Sequence, residues 1–174
     1  MTLPISAVLF DVDGTIVDSA PAVIGAFRAA LSDFGLPIPD DQRLRTYVGP
    51  PLWHSFGELG YSGQLLADLV ARYRELYAHH YLDPEPFEGV PELVWDLHRA
   101  GVPVATATSK QTPMAIAQME RLGLSQAFDV IAGATPDPGS SKTTVIHEAV
   151  ARLGALGATR PHPVIVGDSI WAVR

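Results

Sequence analysis

Residues 6–19 read SAVLFDVDGTIVDS, an apolar run that drives into two aspartates one residue apart, followed by Gly14 and Thr15. Side chains at i and i+2 of an extended chain point the same way. The carboxylates of Asp11 and Asp13 therefore converge just past the run, where Gly14 lets the backbone turn sharply. Two such groups about 4 Å apart repel by about 4 kcal/mol at an effective dielectric near 20. A proton on one of them, or a divalent cation among them, relieves that repulsion. Other polar residues also follow apolar runs: Thr108 and Ser109 after VPVATA, and Asp168 after PVIVG. The chain has no cysteine and no histidine stands near these positions, so the donors are oxygens. A hard cation, Mg²⁺ above all, suits such a set.

The elements that must carry these residues can be read from periodicity. Residues 5–10 predict a buried strand. From Ser19 the period becomes helical, with Val23, Ile24, Phe27, Ala30, Leu31 and Phe34 on one stripe and Gly35 as a stop. A short helix is expected over 42–47, before the breaker VGPP. A longer one opens at Ser62 with Leu65, Leu66, Leu69, Val70, Tyr73, Leu76 and Tyr77 on one side and runs on to His79 and His80. From about residue 18 to 84 only helices are expected. After the turn-rich LDPEPFEGVP the texture alternates: a helix from Pro91 to Gly101, the strand VPVATAT, the helix PMAIAQMERLG, the strand FDVIAG, the helix SKTTVIHEAVARLG and the strand HPVIVGD. Alternation of this kind means parallel strands with helices on both faces. The expected fold is α/β, a doubly wound parallel sheet built from 1–17 and 85–174, with an all-helical insertion over 18–84 after the first strand. In open parallel sheets ligands bind beyond the carboxyl ends of the strands, and that edge is where the polar residues above gather.

The totals narrow the function classes. The 174 residues are 47% hydrophobic and 18% charged, a globular composition. A formal net charge of -7 argues against a broad nucleic-acid or anionic-membrane surface. The lack of cysteine excludes disulfides, thiolate zinc sites and cysteine nucleophiles. No run approaches the length of a membrane span, and the first residues lack the look of a secretory signal, so a cytoplasmic protein is the default expectation.

DVDGT after an apolar strand, TATSK, SSK opening a helix, and VIVGD resemble, in order and spacing, the four motifs of the haloacid-dehalogenase superfamily. The helical insertion looks like that superfamily's small cap domain, and VGPPL and FEGVPEL resemble its phosphoglycolate-phosphatase-like branch. The resemblance implies an Mg²⁺-dependent phosphomonoester hydrolase acting on a small soluble phosphate ester. Asp11 would be the nucleophile and form an aspartyl-phosphate. Asp13 would serve as acid and then base. Mg²⁺ would sit on the Asp11 carboxylate, the Asp13 backbone carbonyl and the Asp168 carboxylate. Thr108 and Lys142 would hold the phosphoryl oxygens, helped by backbone N–H groups around Gly14 and Ser109, and the cap would close over the site and choose the substrate. Related readings are a sugar-phosphate phosphomutase, and a truncated, weakly active relative that binds phosphate compounds or a protein partner.

Blander readings compete residue by residue. An Asp-x-Asp after a strand also suits a solvated loop, but the three later motifs in order favour the site. Thr108 and Ser109 could cap the next helix. A lysine at a helix start opposes the helix dipole, which favours an anion beside Lys142. His79 and His80 diverge by about 100° on a helical period and make a poor metal pair. Trp53, Phe56 and Tyr47 suit the core of the helical segment, and Arg43 and Arg45 suit its surface or a substrate anion equally. Relatives carry a second acid four residues after the Asp168 position, where this chain has Ala172, and they continue beyond Arg174. Without that continuation the PVIV strand would lie at an open sheet edge, which invites pairing with a second chain. Loss of an acid that supports a metal site costs about 10–100-fold in affinity or activity. An Ala172→Asp variant is therefore expected to need less Mg²⁺ for half-maximal activity, as read from a Mg²⁺ titration.

Overall fold

The computed structural model describes residues 6–137, 140–157 and 163–168. Ala172 and Arg174 lie outside the described residues. The elements in chain order are β1 (Ala7–Phe10), α1 (Ala20–Asp33), α2 (Asp41–Arg45), α3 (Leu52–Glu58), α4 (Gly63–Tyr77), α5 (Val90–Arg99), β2 (Val104–Gln111), α6 (Thr112–Arg121), β3 (Val130–Ala134), α7 (Lys142–Ala155) and β4 (Pro163–Val166). A 3-10 turn spans Ser125–Ala127. Among the described residues no helix is long and apolar enough to cross a membrane.

The four strands form one parallel sheet in the order β3-β2-β1-β4. Leu9 pairs with Ala105 on one side and Ile165 on the other. Period-two alternation splits the core between the two faces. Val8, Phe10, Val12 and Val104 pack with Val94 of α5 and Met119 of α6. Ala7, Leu9, Ala105, Ala107, Val130 and Ala132 pack with Val145, Ala149 and Leu153 of α7. The fold is thus α/β with helices on both faces of a parallel sheet. β4 ends the sheet among the described strands, and Val164 there is 40% exposed.

The chain divides into two compact units, residues 1–17 with 86–174, and residues 18–85. Unit 18–85 contains only helices among its regular elements. Its centre is Phe27, with ring centroids 5.5 Å from Tyr47, 4.7 Å from Phe56 and 4.9 Å from Tyr73. Phe56 and Tyr47 are core residues, whereas Trp53 is 49% exposed. Arg43 donates to the Tyr47 hydroxyl at 2.8 Å, and Arg45 is exposed.

Two expectations for the helical unit are corrected. The VGPP stretch does not simply break the chain: Pro51 is the N-cap of α3, a helix the periodicity did not predict. Proline lacks an N–H that a helix start leaves unbonded anyway, so it opens a helix as readily as it ends one. His79 and His80 lie beyond α4, which ends at Tyr77, and His80 Nδ1 is 2.8 Å from Asp83 in the turn that follows.

β2 runs three residues past the expected Thr108. Thr108 pairs with Gly133 and Gln111 with Ala134, so Ser109 and Lys110 are extra residues bulged against β3. A side chain on Gly133 would bring its Cβ to 2.5 Å from the Lys110 carbonyl oxygen and 3.0 Å from the Thr112 nitrogen. Backbone cannot yield there as a flexible side chain could. Gly133→Ala is expected to destabilise the chain by about 1–3 kcal/mol through overpacking. Gly25→Ala, in α1 with nothing within 4 Å of the new methyl, is expected to stabilise it by up to about 1 kcal/mol. Urea denaturation of the two variants checks the contrast.

Candidate active site

The loop after β1 is held by its own backbone. Asp11 donates its N–H to the Val166 carbonyl at 2.9 Å, and the N–H groups of Ile16 and Val17 return to the Val12 carbonyl at 2.9 and 3.1 Å. Val12, Ile16 and Val17 are fully buried. With Val12 committed to the core on the side of Val8 and Phe10, the strand alternation gives Asp11 the parity of Ala7 and Leu9. Asp11 is itself buried, with its Oδ1 accepting the Val12 N–H at 2.8 Å.

Gly14 has φ +76°, the left-handed region that glycine enters without strain. A Cβ there would also lie 2.2 Å from Asp168 Oδ2 and 2.8 Å from its Cγ. The Asp168 carboxylate therefore packs directly against the turn that follows Asp13. The Gly14 N–H, an expected phosphate donor, is engaged with the Val17 carbonyl at 2.9 Å. What Gly14 supplies here is room.

Thr108 and Ser109 sit where β2 leaves its regular pairing. Thr108 is buried and Ser109 exposed. Neither caps α6, whose N-cap is Gln111 without a side-chain bond. The Thr108 hydroxyl instead accepts the Lys110 N–H at 3.1 Å. Lys142 opens α7 behind a capping box, in which Ser141 Oγ accepts the Thr144 N–H at 3.2 Å and Thr144 Oγ1 accepts the Ser141 N–H at 2.9 Å. This reciprocal arrangement satisfies two helix-end donors and fixes the start of α7. From there the Lys142 ammonium forms an ion pair with Asp11 Oδ2, both side chains being nearly buried.

A second lysine, absent from the expected site residues, completes the cluster. Lys110 Nζ is 3.1 Å from Asp13 Oδ1, and its side chain is 2% exposed. It also donates to Gln118 Oε1 of α6. The sequence signal was present in TATSK, a lysine immediately beyond the Thr-Ser pair. The bulge that turns it inward is not visible in a string of residues.

The donor chemistry fits a hard cation. The Asp168 carboxyl is pushed above its ordinary value, first by the packing around it and then by the negative charges of Asp11 and Asp13; Lys142 opposes that rise. Among the described residues no group of three or more His, Cys, Asp or Glu side chains is arranged to hold a metal, so a cage of three carboxylates is not formed. Two carboxylates, Asp11 and Asp168, plus the Asp13 backbone carbonyl are a set that Mg²⁺ accepts, since it keeps several waters and few protein ligands.

Residues 8–173 match the haloacid dehalogenase-like hydrolase family. Over 166 residues the chain is 38% identical to the tyrosine-protein kinase PtkA of Mycobacterium tuberculosis, covering 92% of this chain and 55% of that protein. It therefore spans little more than half the length of that relative. It is 33% identical over 172 residues to the phosphoglycolate phosphatase of Caulobacter vibrioides, covering 95% of this chain and 72% of that protein. Among solved structures, the haloacid dehalogenase-like hydrolase SP0104 from Streptococcus pneumoniae superposes with a TM-score of 0.86 at 30% identity, covering 97% of this chain and 78% of that one.

Because its carboxyl is raised, Asp168 binds a proton more tightly in the folded chain than in the unfolded one. Its contribution favours folding below the ordinary carboxylate range and is lost as pH rises through the raised value. In chelator, the melting temperature of an Asp168→Asn variant relative to the native chain is expected to be higher at about pH 7 than at about pH 4. Mg²⁺ is expected to raise the native melting temperature at about pH 7 and to do so much less at about pH 4, where protons compete for the same oxygens. Calorimetry at the two pH values measures both.

Proposed function

We propose, since the chain belongs to the haloacid dehalogenase-like hydrolases, that it is a phosphatase that cleaves small phosphate monoesters through an aspartyl-phosphate on Asp11. The observation that carries this reading is the buried Asp11 carboxylate at the end of β1, ion-paired with Lys142 and two residues before Asp13. A buried carboxylate held at one oxygen by a lysine is a positioned nucleophile, and the same ammonium suits the negative oxygens of a phosphoryl group.

The steps follow from these groups. An Asp11 oxygen forms a bond to phosphorus as the ester P–O bond breaks, and the leaving oxygen takes a proton from Asp13. Asp13 then takes a proton from water as that water attacks the same phosphorus, releasing phosphate and restoring Asp11. The Thr108 hydroxyl accepts from Lys110 N–H and has its own hydrogen to give to a phosphoryl oxygen. Lys142 neutralises charge on the transferring group. Ser109, exposed in the bulge near the carboxyl end of β2, would offer a backbone or hydroxyl donor to the same oxygens. Mg²⁺ on the Asp11 and Asp168 carboxylates and the Asp13 carbonyl would supply positive charge to the phosphoryl oxygens and offset the repulsion among the acids.

The similarity to a relative named a tyrosine-protein kinase favours one further reading, transfer of the phosphoryl group from Asp11 to a hydroxyl instead of water. The two readings share every residue above and differ only in the acceptor.

Turnover of p-nitrophenyl phosphate with Mg²⁺ is expected. Asp11→Asn is expected to lower kcat more than about a hundredfold, and a chelator to remove activity reversibly. Release of inorganic phosphate in step with p-nitrophenol supports hydrolysis. A phosphorylated tyrosine or sugar acceptor in place of free phosphate supports transfer. No turnover of any phosphate ester by the native chain would sink both.

A further inference from the structure

Lys110 has no part in the steps above, yet it is the more deeply buried of the two lysines in the cluster. A buried ammonium is costly unless its donors are matched and its charge is countered. Here the match comes from Asp13 Oδ1 at 3.1 Å and from Gln118 Oε1. Gln118 is fully buried on α6, and its Nε2 has no hydrogen-bond partner among the described residues. Reversing the amide would aim an N–H group at the ammonium, donor against donor, so the lysine dictates the orientation and the orphan nitrogen follows from it. A leucine or methionine at 118 would leave no orphan. The structure thus spends a buried amide on fixing one lysine, and that lysine touches the carboxyl group that follows the nucleophile by two residues. The bulge at Ser109 and Lys110, made possible by the bare backbone of Gly133, is what turns this side chain inward.

We propose that Lys110, pinned by Gln118, is a positioning residue that fixes the plane of the Asp13 carboxyl group for delivery of a proton to the leaving oxygen. The proposal rests on the phosphatase reading, in which Asp13 is that acid. In the step concerned the Asp11 oxygen bonds to phosphorus, the ester P–O electron pair goes to the leaving oxygen, and the Asp13 proton joins it. Lys110 gives neither proton nor electrons. The two lysines divide the work, Lys142 on the nucleophile and Lys110 on the acid.

A merely structural lysine would affect all substrates alike, whereas a lysine that aims an acid matters most for leaving groups that need a proton. The test compares kcat/KM for phenyl phosphate, whose phenolate is basic, with that for 2,4-dinitrophenyl phosphate, whose leaving group departs unprotonated. With kcat/KM only the first chemical step is read, so the later hydrolysis of the aspartyl-phosphate does not blur the comparison. Lys110→Met is expected to lower the value for phenyl phosphate at least about tenfold more than that for the dinitrophenyl ester. Gln118→Met, which keeps the lysine and loses its anchor, is expected to move the ratio in the same direction by less. If Lys110→Met fails to fold by circular dichroism, Gln118→Met carries the same comparison by itself. Proportional loss on both esters overturns the proposal while leaving the phosphatase reading intact. If the native chain hydrolyses neither ester, the phosphatase reading fails and takes this one with it.

Discussion

Like charges gathered at the carboxyl end of β1 are the constraint around which this edge of the sheet is organised. Asp11 and Asp13 lie there with Asp168 packed against the Gly14 turn, and the Asp168 carboxyl is raised first by burial and then by the charges of Asp11 and Asp13. Two lysines reach in from different elements, Lys142 from the start of α7 and Lys110 from the bulge of β2, and each takes one of the first two acids. Breaking one such buried pair leaves an uncompensated charge that costs about 3–5 kcal/mol. The cluster therefore holds as a unit, and three carboxylates against two lysines leave negative charge there, which suits a hard cation.

The rest of the α/β unit follows from placing those charges without exposing them to one another unshielded. Alternation along β1 commits Val8, Phe10 and Val12 to one face and leaves Asp11 with the other parity. Gly14 then makes room for Asp168, and Gly133 makes room for the β2 bulge. Both glycines act by what they lack, since a methyl group at either position would strike a neighbour. Parallel pairing brings the ends of β1, β2 and β4 to the same edge, so groups separated by more than 150 residues in the chain meet there. Membership of the haloacid dehalogenase-like hydrolases agrees with this arrangement.

Much of this was open to inspection in the residues themselves. The strand and helix alternation after residue 85, the all-helical stretch before it, and the polar residues at strand ends can be read from periodicity and spacing, because burial of one face imposes a period of 2 or 3.6 on any chain. Asp11, Asp13, Thr108 and Asp168 stand out for the same reason, as polar residues at the ends of apolar runs, whereas Lys142, in the polar stretch GSSKTT, stands out only as part of a motif at a helix start. Local composition did less well where proline was concerned. Pro51 reads as a breaker and acts as the cap of α3, since the same missing N–H serves either end of a helix.

What the string of residues determined alone was which side chains are available and on which ends of which elements they fall, since those depend on near neighbours in the chain. Only tertiary structure decided the pairing. That Lys110 faces Asp13 and that Gly14 shelters Asp168 depend on contacts between segments far apart in sequence, and that Gln118 holds Lys110 and Thr108 braces a bulge instead of capping α6 depends on the register of β2 against β3. Such contacts carry no periodic signature. They are set by strand register and the shift at the β2 bulge, where a change of one or two residues turns a side chain from solvent into the site.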